Sequence, residues 1–209
     1  MMVSALIERE LSGIGQKLRD GVFVAVVGPS GAGKDTLIAY ARSALAGDGT
    51  VDFVRRVITR PSDAATEDHD TLADAAFDEA EKGGAFAVSW SAHGLRYGLP
   101  QSVDRAIGQG HVVVANISRG AIPLVKARYA NVVVAEITAS AEILAERLAA
   151  RGRESRGEVL ARLARSAELG TGVPGAIRID NSGEREEAGD RFVTLLRKAI
   201  AAADVAGTV

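Results

Sequence analysis

Residues 28 to 36 read Gly28-Pro29-Ser30-Gly31-Ala32-Gly33-Lys34-Asp35-Thr36. An apolar run, Val22-Phe23-Val24-Ala25-Val26-Val27, leads into them, and a helical pattern, Leu37-Ile38-Ala39-Tyr40-Ala41, leads out. Strand, glycine-rich turn and helix are the context a phosphate-binding P-loop requires. The glycines let successive N–H groups point inward at an anion, and the helix start adds unpaired N–H groups and its positive dipole end. Lys34 supplies a compact point charge for β- and γ-phosphates. The usual motif ends in Lys-Ser/Thr, with the hydroxyl on Mg²⁺. Here Asp35 holds that position. Magnesium takes oxygen ligands, carboxylates included, so Asp35 is the candidate metal residue, directly or through water. Thr36, one position late, is the lesser candidate. The spacing excludes the Gly-x-Gly-x-x-Gly turn of dinucleotide sites, in which Lys34 would have no task.

The elements that must position this loop follow from periodicity. Apolar strand-like runs occur at 22–27, 51–58, 111–115, 132–137 and 176–179. Helical patterns occur near 35–46, 101–109, 119–129, 140–151, 157–168 and 185–203. The alternation predicts an α/β fold with a parallel sheet covered by helices on both faces. Ligands on such sheets gather at the carboxyl ends of the strands. Gly28, Thr59-Arg60, Asn116 and Asn181 all fall at such ends. Two segments break the rhythm: a charged insert, 59–100, expected to carry a short helix and strand of its own, and a basic stretch beginning Arg151-Gly152-Arg153. A mobile acceptor-binding insert plus an arginine lid describes a small phosphotransferase, in which closure excludes water.

Composition narrows the partners. The 209 residues fit one domain, and a formal charge of −2 implies no strong nucleic-acid or membrane field. The absence of cysteine excludes disulfides and thiolate metal sites. No run of 18 residues is apolar, and charges interrupt the N-terminal segment, so neither a span nor a signal peptide is expected. The expectation is a cytoplasmic monomer or homodimer acting on small molecules.

Along nearly its whole length the chain resembles the guanylate-kinase-like branch of P-loop kinases, and within it the ribose 1,5-bisphosphokinases of bacterial phosphonate utilisation. The resemblance rests on Gly33-Lys34-Asp35-Thr36, Arg56-Val57-Ile58-Thr59-Arg60, Glu67-Asp68-His69, Ser89-Trp90, His93-Gly94-Leu95-Arg96-Tyr97-Gly98, Asn116-x-Ser118-Arg119, Arg151-Gly152-Arg153-Glu154 and Asp180-Asn181. It implies a P-loop NTPase fold in one domain: a core of 20–58, 101–150 and 170–209, the acceptor insert 59–100 and a lid 151–169. It implies ATP with Mg²⁺ as donor and ribose 1,5-bisphosphate as acceptor, giving phosphoribosyl diphosphate (PRPP).

By this resemblance Arg60 and Tyr97 hold the acceptor phosphate, with Arg96, Glu67 and His69 beside it; Arg96 and His93 add positive or donor groups that suit an acceptor with two phosphates. Arg151 and Arg147 act on the transferring phosphoryl group. Arg153 and the loop residues Gly28 to Thr36 bind ATP, and Asn181 lies beside the adenine ring. Guanidinium forks suit phosphate oxygens and a phenol donates one more hydrogen bond. Competing readings stand beside these. Arg60 caps a strand, Tyr97 fills the insert's core, the arginines form a solvated face, His93 is a surface residue, and Asp180-Asn181-Ser182-Gly183 is a good turn in its own right.

Two departures matter. Guanylate kinases read guanine with a glutamate just after a Phe, whereas Phe86-Ala87-Val88-Ser89-Trp90-Ser91-Ala92 contains no carboxylate. A base-edge site loses discrimination without that partner, which favours a sugar phosphate. Many P-loop kinases also carry an acidic residue at the end of the strand near 116, yet Asn116-Ile117-Ser118-Arg119 contains none. The carboxylate is expected to have moved to Asp35. A phosphate acceptor, with a second pKa near about 6, is already largely dianionic, so no general base is required. The alternatives are a nucleoside monophosphate kinase, a sugar-hydroxyl kinase using Asp68, His69 or Asp70 as base, and a non-catalytic interaction module, against which the intact loop argues.

Overall fold

The computed structural model describes residues 17–59, 69–150 and 172–206. Five strands, β1 (Val22–Val27), β2 (Val51–Val54), β7 (Val112–Asn116), β8 (Val132–Thr138) and β9 (Ile177–Asp180), form one sheet in the order β2-β7-β1-β8-β9. Every pairing in it is parallel. β1 is central and wholly buried, as its unbroken β-branched and aromatic run requires. Its alternate residues feed two cores. Val22, Val24 and Val26 pack with α1 (Lys34–Ala44) and α6 (Arg185–Ala206). Phe23, Ala25 and Val27 pack with α3 (Ser102–Gly108), α4 (Ile122–Arg128) and the insert. The fold class read from the sequence is the one observed.

The run at 51–58 proves to be two strands in two sheets. Val51–Val54 pairs with β7, the chain turns at Arg55, and β3 (Arg56–Ile58) joins a second sheet. The adjacent charges Arg55 and Arg56 interrupt the apolar run where it leaves the main sheet. The second sheet also contains β4 (His69–Thr71), β5 (Phe86–Ala92) and β6 (Leu95–Pro100), in the order β4-β3-β6-β5. Helix α2 (Asp74–Lys82) covers one face, with Phe77 stacked on Phe86. The insert is therefore richer than one helix and one strand. Its other face presents Ile58, Val88, Trp90, Tyr97 and Leu99 to the same core as Phe23 and Val113, so the two sheets share an apolar interior.

The pattern at 119–129 opens as a 3₁₀ turn, Arg119–Ala121, before α4. Helix α5 (Ala141–Ala149) starts at Ser140, whose hydroxyl accepts from the Ile143 N–H, a conventional N-cap. The helix expected at 157–168 lies outside the described residues.

Candidate active site

β1 ends at Val27, and the next nine residues wrap the start of α1. Two glycines are required there by geometry. Gly28 has φ of +146°, and a Cβ on it would strike the Ile137 carbonyl oxygen of β8. Gly33 has φ of +88°, and a Cβ would strike the Asn181 side-chain amide. Only glycine meets both demands. Lys34 folds back over the loop, its Nζ donating to the carbonyls of Gly28 and Pro29, each at 2.9 Å.

Asp35 and Asn116 meet. The Asn116 Nδ2 donates to Asp35 Oδ1 at 2.7 Å, joining the end of β7 to the start of α1. Asn116 is buried, and its Oδ1 has no hydrogen-bond partner among the described residues. The amide presents its N–H side to Asp35 and so holds in place, at the phosphate loop, a carboxylate of the hard-oxygen kind that Mg²⁺ takes. The residue pair that departs from the usual pattern in sequence is thus adjacent in space. Thr36 is exposed on the helix surface.

Arg147 and Asn181 brace the loop from behind. The Arg147 guanidinium donates to Gly31 O at 3.4 Å and Asn181 O at 3.0 Å. Asn181 is buried, and its amide donates to Ala32 O at 2.7 Å. Asn181, expected beside an adenine ring, uses its N–H side on the loop backbone, while its Oδ1 has no hydrogen-bond partner among the described residues. The turn reading of the same residues is observed, because Asp180 Oδ1 accepts from Ser182 N at 3.1 Å. Arg147 likewise holds backbone carbonyls.

In the insert, Tyr97 is buried and stacks on Trp90 with ring centroids 5.3 Å apart. The Trp90 indole donates to Ser118 Oγ at 2.9 Å, tying the insert to the residues after β7. Arg96 does not join Tyr97. Successive strand residues point to opposite faces, and Arg96 lies over the Phe77 ring at 4.4 Å, bonded to Asp78 and, at 2.6 Å, to Glu81. Arg96, expected beside the acceptor, here links β6 to α2. The backbone of His69, on β4, pairs in register with Arg56 of β3. His93 occupies the left-handed turn between β5 and β6, with φ of 52°, and is exposed. Arg60, Glu67, Arg151 and Arg153 lie outside the described residues.

Sequence reasoning passed over Glu136. It sits within β8, 1% exposed, and holds Arg119 at 3.1 Å, Arg178 at 3.1 Å and the Val173 N–H at 3.5 Å. The signal was available, since a lone carboxylate interrupts Val-Val-Val-Ala-Glu-Ile, and a buried charge needs partners. A groove of about 630 Å³ lined by Val22, Val132, Ile177 and α6 lies at the amino ends of the strands, opposite the loop.

No protein-family model matches the chain. A curated relative from Chelativorans sp., named ribose 1,5-bisphosphate phosphokinase, is 51% identical over 209 residues, the full length of both chains. The chain belongs to the ribose 1,5-bisphosphate phosphokinase family. A member from Brucella melitensis is 54% identical over 164 residues, 78% of this chain and 85% of the relative. A bifunctional ribose 1,5-bisphosphokinase–thymidine phosphorylase from Cupriavidus pinatubonensis matches 88% of this chain at 45% identity, over 31% of its own length. A crystal structure of guanylate kinase from Anaplasma phagocytophilum superposes with a TM-score of 0.61 at 21% identity, covering 85% of each chain. That likeness is one of fold. The family and fold implied by the motifs are both borne out.

Proposed function

We propose that the protein transfers the γ-phosphoryl group of ATP to the C1 phosphate of ribose 1,5-bisphosphate, giving ADP and PRPP. The observation that carries the reading is the full-length 51% identity to a ribose 1,5-bisphosphate phosphokinase, joined to an intact phosphate loop whose Lys34 sits on it. An oxygen of the C1 phosphate attacks the γ-phosphorus, the bond to the β-bridging oxygen breaks, and ADP leaves with that electron pair. The attacking phosphate is already anionic, so the chain needs no proton acceptor, and catalysis is positioning plus charge neutralisation.

Lys34 exchanges its two backbone carbonyls for the β- and γ-phosphate oxygens. The N–H groups of residues 28 to 36 receive the remaining charge. Asp35, directly or through water, with Asn116 beside it, would hold Mg²⁺, which would supply positive charge to offset that of the phosphates. Arg147 and Asn181 keep the loop in shape. Arg60 and the Tyr97 hydroxyl align the acceptor, with Glu67 and His69 at its margin. Arg151 and Arg153, in the lid 151–169, cover the donor. Core 20–58, 101–150 and 170–209, insert 59–100 and lid form one kinase domain, acting in the cytoplasm as a monomer or homodimer.

The lack of a carboxylate at 86–92 supports a sugar phosphate over GMP. The deciding experiment is an ADP-release assay run in parallel with ribose 1,5-bisphosphate, GMP, AMP and free ribose. Turnover is expected with the bisphosphate. Turnover with GMP alone would replace this reading by a guanylate kinase, and nucleotide binding without transfer to any acceptor would make the protein an interaction module.

A further inference from the structure

An arginine crosses the carboxyl end of β1. Strand order places β7 and β8 on either side of β1. Arg119 follows β7, yet its Nη2 donates at 3.1 Å to Glu136 Oε1 of β8. In register, Glu136 stands opposite Val27, the last residue of β1 before the phosphate loop, and Asn116 stands opposite Val26. The Arg119 side chain therefore spans the end of β1 at the root of the loop.

The crossing is on the insert side of the sheet. Glu136 lies two residues beyond Val134, which packs with Phe23, Ala25 and Val27, and residues two apart in a strand share a face. Ile117 and Ala121, on either side of Arg119, belong to the same core as Trp90 and Tyr97 of the insert. Ser118, the preceding residue, accepts from the Trp90 indole. The guanidinium is thus placed between the loop that takes the donor and the aromatic pair of the insert. Its charge is not cancelled there. Glu136 is 1% exposed and shared, because Oε2 accepts from Arg178 Nε at 3.1 Å and from the Val173 N–H at 3.5 Å. One carboxylate between two guanidiniums leaves a positive charge in excess. The Arg119 Nε is buried without a hydrogen-bond partner, while the side chain as a whole is 37% exposed. A cation fixed by a buried carboxylate at one edge and open at another is pre-organised for an anion.

We propose that Arg119, held by Glu136, binds the attacking phosphate of the acceptor and offsets its charge as it approaches the γ-phosphate. The inference rests on the proposed reaction, in which two anionic groups must be brought into line. Lys34 and the loop N–H groups serve the donor, and Arg119 meets the anion that arrives from the insert side. Glu136 is a positioning residue, which fixes the guanidinium across β1 without touching substrate.

The test measures MgATP affinity by calorimetry without acceptor, and kcat/KM for ribose 1,5-bisphosphate at saturating ATP, in the wild type, Arg119→Met, Arg119→Lys, Glu136→Gln and the double variant Arg119→Met with Glu136→Gln. Thermal melting checks folding. In Arg119→Met, kcat/KM for the bisphosphate should fall by roughly 10- to 150-fold, the factor that a hydrogen bond to a charged group supplies, while MgATP affinity is unchanged. Arg119→Lys, which retains charge but not the fork, should fall between. Glu136→Gln should lower kcat/KM by itself and add nothing in the Arg119→Met background, since residues that act as a unit are not additive. Wild-type kcat/KM in Arg119→Met, even with a lowered melting temperature, overturns the inference and leaves the kinase reading intact. A loss of MgATP affinity as large as the loss in kcat/KM overturns it too, by making Arg119 a support of the loop. A full second loss in the double variant removes Glu136 from the positioning role. A wild type that binds MgATP but does not turn over the bisphosphate removes the proposed acceptor and this inference together. Should Arg119→Met not fold, Arg119→Lys decides by the same two quantities.

Discussion

At the scale of single residues, the site depends on a few side chains whose partners are backbone atoms. Lys34 rests on two carbonyls of its own loop, so the loop's shape, not the lysine's packing, is what it contributes to in the free protein. Lys34→Ala should leave the melting temperature nearly unchanged while turnover falls by at least about 10³-fold, the scale on which a lost charge at a developing phosphoryl centre acts; wild-type-like turnover in a metal-replete preparation would remove the scheme. The Asp35–Asn116 contact makes a second prediction. If the loop carboxylate replaces one at the end of β7, Asp35→Ser should raise the Mg²⁺ concentration needed for half-maximal rate by about tenfold or more, the loss typical of a ligand or its supporting partner. Asn116→Asp in that background should recover part of it. A Mg²⁺ dependence identical to wild type in Asp35→Ser would show the carboxylate to be merely a helix N-terminal charge.

At the scale of elements, β1 can aim the phosphate loop only if its lower half is held. Phe23 stacks on Tyr129, at the end of α4, with centroids 5.2 Å apart. The Tyr129 hydroxyl donates to Asp104 Oδ1 of α3 at 2.8 Å, and Arg128 also binds that carboxylate. Burial and the hydrogen bond to Asp104 push the Tyr129 phenol upward. Its contribution to stability is thus full below the unfolded value of about 10 and lost above it. Burial pushes the Asp104 carboxyl upward, but hydrogen bonds from Arg128 and Tyr129 outweigh it, and the net direction is down. That contribution is present above about pH 4 and lost as pH falls further. Melting temperature measured from pH 2 to 11 should fall at both ends. Asp104→Asn should flatten the acid limb and Tyr129→Phe the alkaline limb, and a curve unchanged by either substitution would separate this triad from stability.

At the scale of the whole molecule, Glu136 ties together segments distant in sequence: Arg119 after β7, Arg178 in β9, and the backbone at Val173. A buried carboxylate is costly unless all of this is in place. Glu136→Ala should destabilise the fold by about 1–3 kcal/mol, below the range for a fully buried pair, because Arg178 is largely in solvent and can rehydrate. Urea unfolding would measure it, and a midpoint equal to wild type would show that the cluster only fills space.

What the linear chain determines by itself here is local or periodic. The phosphate loop, the β-branched strands and the alternation of the two periods depend on residues next to one another, so the α/β sheet, the nucleotide loop and the family are legible from them. Everything decided later depends on pairing across the chain. That Arg96 lies over Phe77 while its neighbour Tyr97 stacks on Trp90 is set by the parity of the pleat. The Asn181 amide meets the phosphate loop because β9 lies next to β8, bringing it under Gly33. The run at 51–58 divides because its second half finds partners in the insert, β6 antiparallel and β4 parallel. Glu136 becomes an anchor only once burial removes it from water. These outcomes belong to contacts between residues tens of positions apart, and a one-dimensional pattern does not contain the distances that decide them.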